Sequence, residues 1–188
     1  MLVDKQLVYT WVKAPIKNIA VYALNPSTYD LYHNVINQMQ HRLQAAIIGR
    51  EVCVSWIHGD YSPANILVDP SGSQVTGIVD WDLARSNELP LFDLLHLLIS
   101  IRMESQKREM GRIVSDLLIK RDWSPAELKL IQAVGQDLRG SSIELQDLLL
   151  LTWLRHVNAN VMKTSRFDNH EQWAAENILS VLKVLENS

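Results

Sequence analysis

The stretch SWIHGDYSPANILVDPSGSQVTGIVDWD, residues Ser55 to Asp82, sets His58, Asp60, Asn65, Asp80 and Asp82 close to short runs of β-forming residues. Two of those runs, NILVD and QVTGIVD, are separated by Asp69-Pro70-Ser71-Gly72, a turn by composition, so the segment predicts a small β-hairpin. VCVSWI, just upstream, reads as a further strand. The hairpin has a chemical consequence. It returns the chain so that Asp80, ending the second run, can lie beside Asn65, opening the first.

His58-Gly59-Asp60 and Asn65 form the pattern H-G-D-x-x-x-x-N. Its spacing is that of a kinase catalytic loop, in which the aspartate accepts the proton of the attacking hydroxyl and the asparagine ligates magnesium. A plain turn explains the first three residues as well, with His58 bonding backbone and Gly59 supplying an unusual dihedral. Asp80 adds a carboxylate at a strand end, where such a site holds the hard cation that bridges nucleotide phosphates. Base, asparagine, hairpin and metal aspartate therefore follow in the expected order.

On these residues the sequence resembles the aminoglycoside phosphotransferase and choline kinase family, the small-molecule branch of the protein-kinase-like fold. HGDYSPANILVD resembles its catalytic loop and VDWDLA its metal-binding segment. The resemblance implies Asp60 as the base, Asn65 and Asp80 as Mg2+ ligands, His58 and Asp82 in support, and ATP as phosphoryl donor. The implied acceptor is a hydroxyl of a small molecule such as an amino sugar, a sugar or an amino alcohol. Trp81 and Asp82 replace the Phe and Gly of the protein-kinase Asp-Phe-Gly, substitutions this branch tolerates. Pro90-Leu91-Phe92-Asp93-Leu94 resembles the family's next segment, and Asp93 is read as structural, an acidic residue favoured near a helix N-terminus. The likeness is specific from about Trp56 to Leu98 and covers about a quarter of the chain well.

The flanks are helical. Upstream, Asn25-Pro26-Ser27 offers a helix start, Tyr29, Tyr32, Val35, Ile36, Met39, Leu43 and Ile47 recur at helical spacing, and Gly49 is a stop. From Phe92 onward the pattern is helical to the end. Ser124-Pro125-Ala126-Glu127 places an N-cap, a first-turn proline and a capping-box glutamate in register. Ser141 or Ser142 is suited to cap the helix of Trp153, and Asp168 or Asn169 the last one; Trp153 and Trp173 are expected in the core. The expected fold is α+β and mostly helical, a kinase-like C-terminal lobe with a small hairpin and a helical bundle. It is read as one domain: a lead-in helix within residues 1–50, the catalytic loop and hairpin at 51–90, and the bundle at 91–188.

Composition fits an ordinary globular protein. The 188 residues carry a net charge of -3 and a 47% hydrophobic share, with no basic excess pointing to nucleic acid. The apolar runs Leu94–Ile101 and Leu148–Leu154 fall far short of the roughly 20 residues a membrane span needs. A single cysteine, Cys53, reads as a buried thiol in a reducing compartment, and the N-terminus lacks the apolar core of a signal peptide. A cytoplasmic protein with neither nucleic-acid nor membrane partners is the expectation.

The nucleotide clamp is what the sequence lacks. No two glycines are separated by a single residue, so G-x-G-x-x-G is absent, and Lys5, Lys13 and Lys17, the only lysines before the loop, lie in no hydrophobic strand. The N-terminal nucleotide lobe is thus expected to be missing, its function falling to a partner or to a second copy of the chain. Apolar surface at the old lobe boundary, around Val8, Tyr9 and Trp11, would favour such association. The rival to an enzyme is a binding or regulatory module that keeps the lobe's fold without catalysis. A dehalogenase-like phosphatase built on Asp80-x-Asp82 lacks the βα units it needs downstream. A metallohydrolase lacks a histidine pair, since His33, His41, His96, His156 and His170 show no ligand spacing such as H-x-x-x-H. Asp137, Glu144 and Asp147 suit a solvated helix face or a cationic substrate equally.

Overall fold

The computed structural model describes residues 1–137, 143–163 and 170–187. The chain turns helical earlier than the sequence suggests. Helix α1 (Lys5–Val8) runs through a π-helical turn (Tyr9–Lys13) into α2 (Ala14–Tyr22), with Asp4 capping the start by accepting the Leu7 N–H at 2.9 Å. Val8, Trp11, Val12, Ile16 and Ile19 are buried along it, so Val8 and Trp11 are core residues and only Tyr9 of the expected boundary patch is exposed. A helical stripe sorts these residues inward, an outcome the short apolar spacings did not announce.

Helix α3 (Pro26–Ile47) matches its sequence signals closely. The Asn25 side chain accepts the Thr28 N–H at 2.8 Å, Pro26 takes the first turn, and Gly49 follows with φ +70°. Tyr32, Val35, Ile36, Met39, Leu43 and Ile47 are all buried; Tyr29, first in the pattern, stays exposed.

Four short strands follow, β1 (Ser55–Ile57), β2 (Ile66–Val68), β3 (Val75–Ile78) and β4 (Arg85–Glu88). β2 and β3 form the expected antiparallel hairpin, with Ile66 opposite Ile78 and Leu67 opposite Gly77. Its turn is tied by Asp69, whose carboxylate accepts the N–H groups of Ser73 and Gln74 at 2.8 and 2.9 Å. Only half of VCVSWI becomes strand, and Cys53 is half-buried instead of enclosed. β1 pairs antiparallel with β4, a polar segment that carries no β-forming pattern; the pairing is imposed by the surrounding fold.

The helical part consists of α4 (Leu91–Gln106), α5 (Met110–Lys120), α6 (Pro125–Asp137), α7 (Leu145–Lys163) and α8 (His170–Ala174), then a π-helical turn (Ala175–Leu179) and α9 (Ser180–Glu186). The capping box of α6 is reciprocal: Ser124 N–H donates to Glu127 at 2.7 Å and Glu127 N–H to Ser124 Oγ at 3.2 Å. The other expected caps, Ser141 or Ser142 and Asp168 or Asn169, lie outside the described residues. α7 is the central element, burying Leu148–Leu151, Leu154, Val157 and Trp153, whose indole N–H donates to Asn177 O at 2.7 Å. Each such apolar side chain contributes about 1.5–3 kcal/mol, against about 1 kcal/mol for a cap, so packing rather than capping fixes the bundle. Trp173 packs partly buried against the same core. Asp147 corrects the expectation of a solvated face: it is buried and paired with Arg42 at 2.7 Å, while Glu144 is exposed. Among the described residues no helix is long and apolar enough to cross a membrane.

Candidate active site

The loop between β1 and β2 is held by its own backbone and by side chains of two helices, α4 and α7. His58 is buried; its Nε2–H donates to Val79 O at 2.8 Å, and its Nδ1 accepts the Asp60 N–H at 3.3 Å, which fixes the tautomer. Trp81 rests against the same ring, centroids 4.7 Å apart. Gly59 has φ +88°, and a Cβ there would collide with Leu83 O and approach Arg155 Nη2 to 2.6 Å; only glycine fits.

A 3₁₀ turn (Pro63–Asn65) delivers Asn65 to the mouth of the hairpin. Its Nδ2 donates to Asp60 O at 2.9 Å and its carbonyl accepts the Val79 N–H at 3.0 Å. One connected set of bonds thus joins Asp60, Asn65 and the residue preceding Asp80. Asp80 itself is exposed and holds φ 61°, a left-handed conformation uncommon for non-glycine residues though more open to Asp and Asn than to most. Asp82, also exposed, sits in the short 3₁₀ turn (Trp81–Leu83) beyond it.

Four residues that sequence reasoning passed over or misjudged, Asp93, Arg155, His96 and His156, complete the loop's surroundings. Asp93, read from its helix position alone, does more than face the dipole of α4. Its carboxylate accepts the backbone N–H groups of His58 at 2.6 Å and Gly59 at 2.9 Å, clamping the loop from 35 and 34 residues away. Arg155 of α7 donates to Gly59 O at 2.7 Å and Leu83 O at 3.3 Å, stitching the loop to the segment after Asp80. Burial pushes the Arg155 guanidinium down and the nearby Glu88 carboxyl up, each partly held by the other's charge. Arg155 Nε and one Glu88 oxygen are buried without a hydrogen-bond partner.

His96 of α4 stands behind the loop, its Nε2 3.6 Å from Asp60 Oδ1 and 3.1 Å from His156 Nδ1 of α7. The histidines do form a close pair, contrary to what their sequence spacing suggests, because two packed helices bring together residues 60 positions apart. Burial pushes both rings down, His156 to about 3, with His96, Arg155 and Lys163 adding repulsion. A packed bundle offers no sequence signal for this pair, whereas the acid at Asp93 followed by His96 one turn later was at least visible as a polar interruption of an apolar helix.

Larger clefts lie elsewhere. One of about 470 Å³ is lined by Tyr22, Asn25, Thr28 and Glu171, and one of about 740 Å³ by Lys107, Arg108, Arg112 and Glu176. Neither is lined by a residue of the loop; Trp56, Leu67, Val68, Val75, Val79 and Trp81, on β1, the hairpin and the segment after it, are exposed.

A family model described as the phosphotransferase enzyme family matches residues 17–130, more than half of the chain. No curated protein and no solved structure matches it significantly.

Proposed function

The chain belongs to the phosphotransferase enzyme family, and from that premise we propose that it is a kinase-like C-terminal lobe transferring the ATP γ-phosphoryl group to a hydroxyl of a small molecule. Amino sugars, sugars and amino alcohols are the acceptor classes the reading favours. The observation that supports it most is the bonded set linking Asp60, Asn65 and Val79, since it gathers the base and the two metal-ligand candidates at one edge of the hairpin.

In this reading Asp60 accepts the hydroxyl proton as the acceptor oxygen bonds to phosphorus and the bond to the ADP oxygen breaks. Asn65 spends its Nδ2 on the Asp60 carbonyl, which leaves its Oδ1 for a cation, and Asp80 offers an exposed carboxylate. Two hard oxygens suit Mg2+, which retains several waters and needs few protein ligands. When bound, that ion supplies neutralisation of the phosphate charge. His58 fixes the backbone before Asp80, and Asp82 stands exposed one residue further on as a supporting carboxylate.

A general base supplies about 3–5 kcal/mol of barrier lowering, whereas positioning of reactants supplies about 7–11 kcal/mol. Lys5, Lys13 and Lys17 lie on the N-terminal helices, none in a strand that could grip a nucleotide. Turnover by this chain alone is therefore expected to be slow, and the exposed apolar side chains of β1 and the hairpin offer a surface for a lid supplied by a partner or second copy. The same observation favours the second reading, a binding module without catalysis.

Binding of ATP and ADP to the chain and to Asp80→Ala, each with and without Mg2+, separates the two. Magnesium-dependent binding lost in the variant supports the phosphotransferase reading; no binding at about millimolar nucleotide, a range far weaker than typical enzyme substrates, favours the inert module. ATP turnover with the acceptor classes above should fall in Asp60→Asn, and equal rates would overturn the base assignment.

A further inference from the structure

Asp60, His96 and His156 come from the catalytic loop, α4 and α7, and their ligand atoms converge on one point. The pairs His96 Nε2–His156 Nδ1 and His96 Nε2–Asp60 Oδ1 measure 3.1 and 3.6 Å, and all three atoms lie within 4.8 Å of one another. Ligand bonds of about 2.0–2.1 Å in a tetrahedral site place neighbouring donor atoms about 3.3–3.4 Å apart, so the two shorter separations bracket a metal-site edge, while the wider Asp60–His156 separation, within 4.8 Å, has to close when an ion binds.

Proton bookkeeping points the same way. His96 Nδ1 faces the Tyr61 carbonyl at 3.0 Å, a pure acceptor, so Nδ1 carries the proton and Nε2 is bare. The Asp60 carboxylate therefore faces a lone pair, an arrangement that gains from a cation between them. His156 Nδ1–H fills only the His–His contact. His156 Nε2 lies 3.0 Å from the Asn160 amide. The same Nδ2 donates to the His156 carbonyl at 2.9 Å, so for His156 Nδ1 to become the third ligand its proton must move to Nε2 and the Asn160 side chain must swing away from that nitrogen. The carbonyl on His96 is the outer-shell partner usual for a ligating histidine. Asp60, with its side chain 34% exposed, leaves a way in for the ion and an open fourth position.

We propose that Asp60, His96 and His156 form a binding site for a late first-row divalent cation such as Zn2+, distinct from the Asn65 and Asp80 oxygens that suit Mg2+. Two imidazoles and one carboxylate match Zn2+ and its neighbours, whereas Mg2+ prefers oxygen ligands throughout. Because the site takes Asp60 itself, an ion held there removes the carboxylate from proton transfer. Zn2+ binding and base catalysis are mutually exclusive, which makes the site inhibitory toward any phosphotransfer through Asp60. The binding step is independent of that reaction and is measured without it.

The test uses the full chain, stripped with a chelator, titrated with Zn2+ against a chromophoric competitor and separately with Co2+. The expected result is one equivalent bound at micromolar concentration or tighter, with the intense visible bands of four-coordinate Co2+. His96→Ala, His156→Ala and Asp60→Asn should each weaken binding about 100-fold or more. Asp80→Ala and the exposed-histidine variants His33→Ala and His41→Ala should leave it unchanged. No stoichiometric binding, or binding indifferent to His96 and His156, overturns the proposal. Should a buried-histidine variant fail to fold, the wild-type Co2+ spectrum decides: weak octahedral bands refute the site.

Discussion

Asp93 is expected to hold the catalytic loop more than it holds its own helix. The substitution to test is Asp93→Ala, which leaves the buried N–H groups of His58 and Gly59 without the carboxylate that accepts them at 2.6 and 2.9 Å. An unpaired buried N–H costs about 1–3 kcal/mol, giving about 2–6 kcal/mol for the pair. Asp93 also repels the buried Glu88 carboxylate and attracts the buried Arg155 guanidinium, two effects of opposite sign. A loss of about 2–6 kcal/mol follows. Asp93→Asn keeps one acceptor oxygen and should lose about 1–2 kcal/mol, between wild type and alanine. Urea unfolding measures both, and amide hydrogen exchange adds a local readout, since the His58 and Gly59 N–H groups should exchange faster in either variant. Asp82→Ala, at an exposed position, is the control and should stay within about 0.5 kcal/mol of wild type. An Asp93→Ala chain as stable as that control, with unchanged exchange at His58 and Gly59, would refute the clamp.

Acid should destabilise the fold through the histidine pair. His156 is held at about 3 when folded, against about 6.5 when unfolded, so below pH 6.5 the unfolded chain takes up a proton the native one refuses. Stability is full above about pH 6.5 and falls towards pH 3, by about 2 kcal/mol at pH 5 from this ring, with His96 adding in the same direction. Urea midpoints in chelator at about pH 7.5 and pH 5 should converge in His156→Gln; an undiminished pH dependence would exonerate the ring. Arg155→Met should lose about 2–4 kcal/mol, because it breaks the bonds to Gly59 and Leu83 and leaves Glu88 buried without its cation. Adding Glu88→Gln should recover about 1 kcal/mol, and strict additivity in that double-mutant cycle would show the two groups uncoupled.

The site divides by how far apart its parts lie in the chain. Asp60, Asn65 and Asp80 could be ordered from sequence because a turn signal and two β-rich runs lie between them, and hairpin pairing is a local consequence of both. The supports come from further off. Asp93, Arg155, His96 and His156 act on the loop from other elements, and nothing in the periodicity of α4 or α7 says which polar residue faces which. Val8 and Trp11 went astray for a related reason. Their apolar character was plain, but whether such residues line a core or an exposed boundary depends on what packs against them; Trp11, for one, stands edge-on to Phe92 of α4 with ring centroids 6.2 Å apart.

Local physics accordingly settled the parts that the sequence could announce by itself. α3 with its Asn25 cap and apolar stripe, the reciprocal Ser124–Glu127 box and the β2–β3 hairpin all follow from interactions between residues near in sequence. Tertiary structure alone decided that polar Arg85–Glu88 becomes a strand against β1, that Asp147 is buried against Arg42, and that two histidines 60 residues apart meet behind Asp60. Such contacts are set by the angles and offsets at which helices pack, quantities shared among many side chains and written in no single short motif.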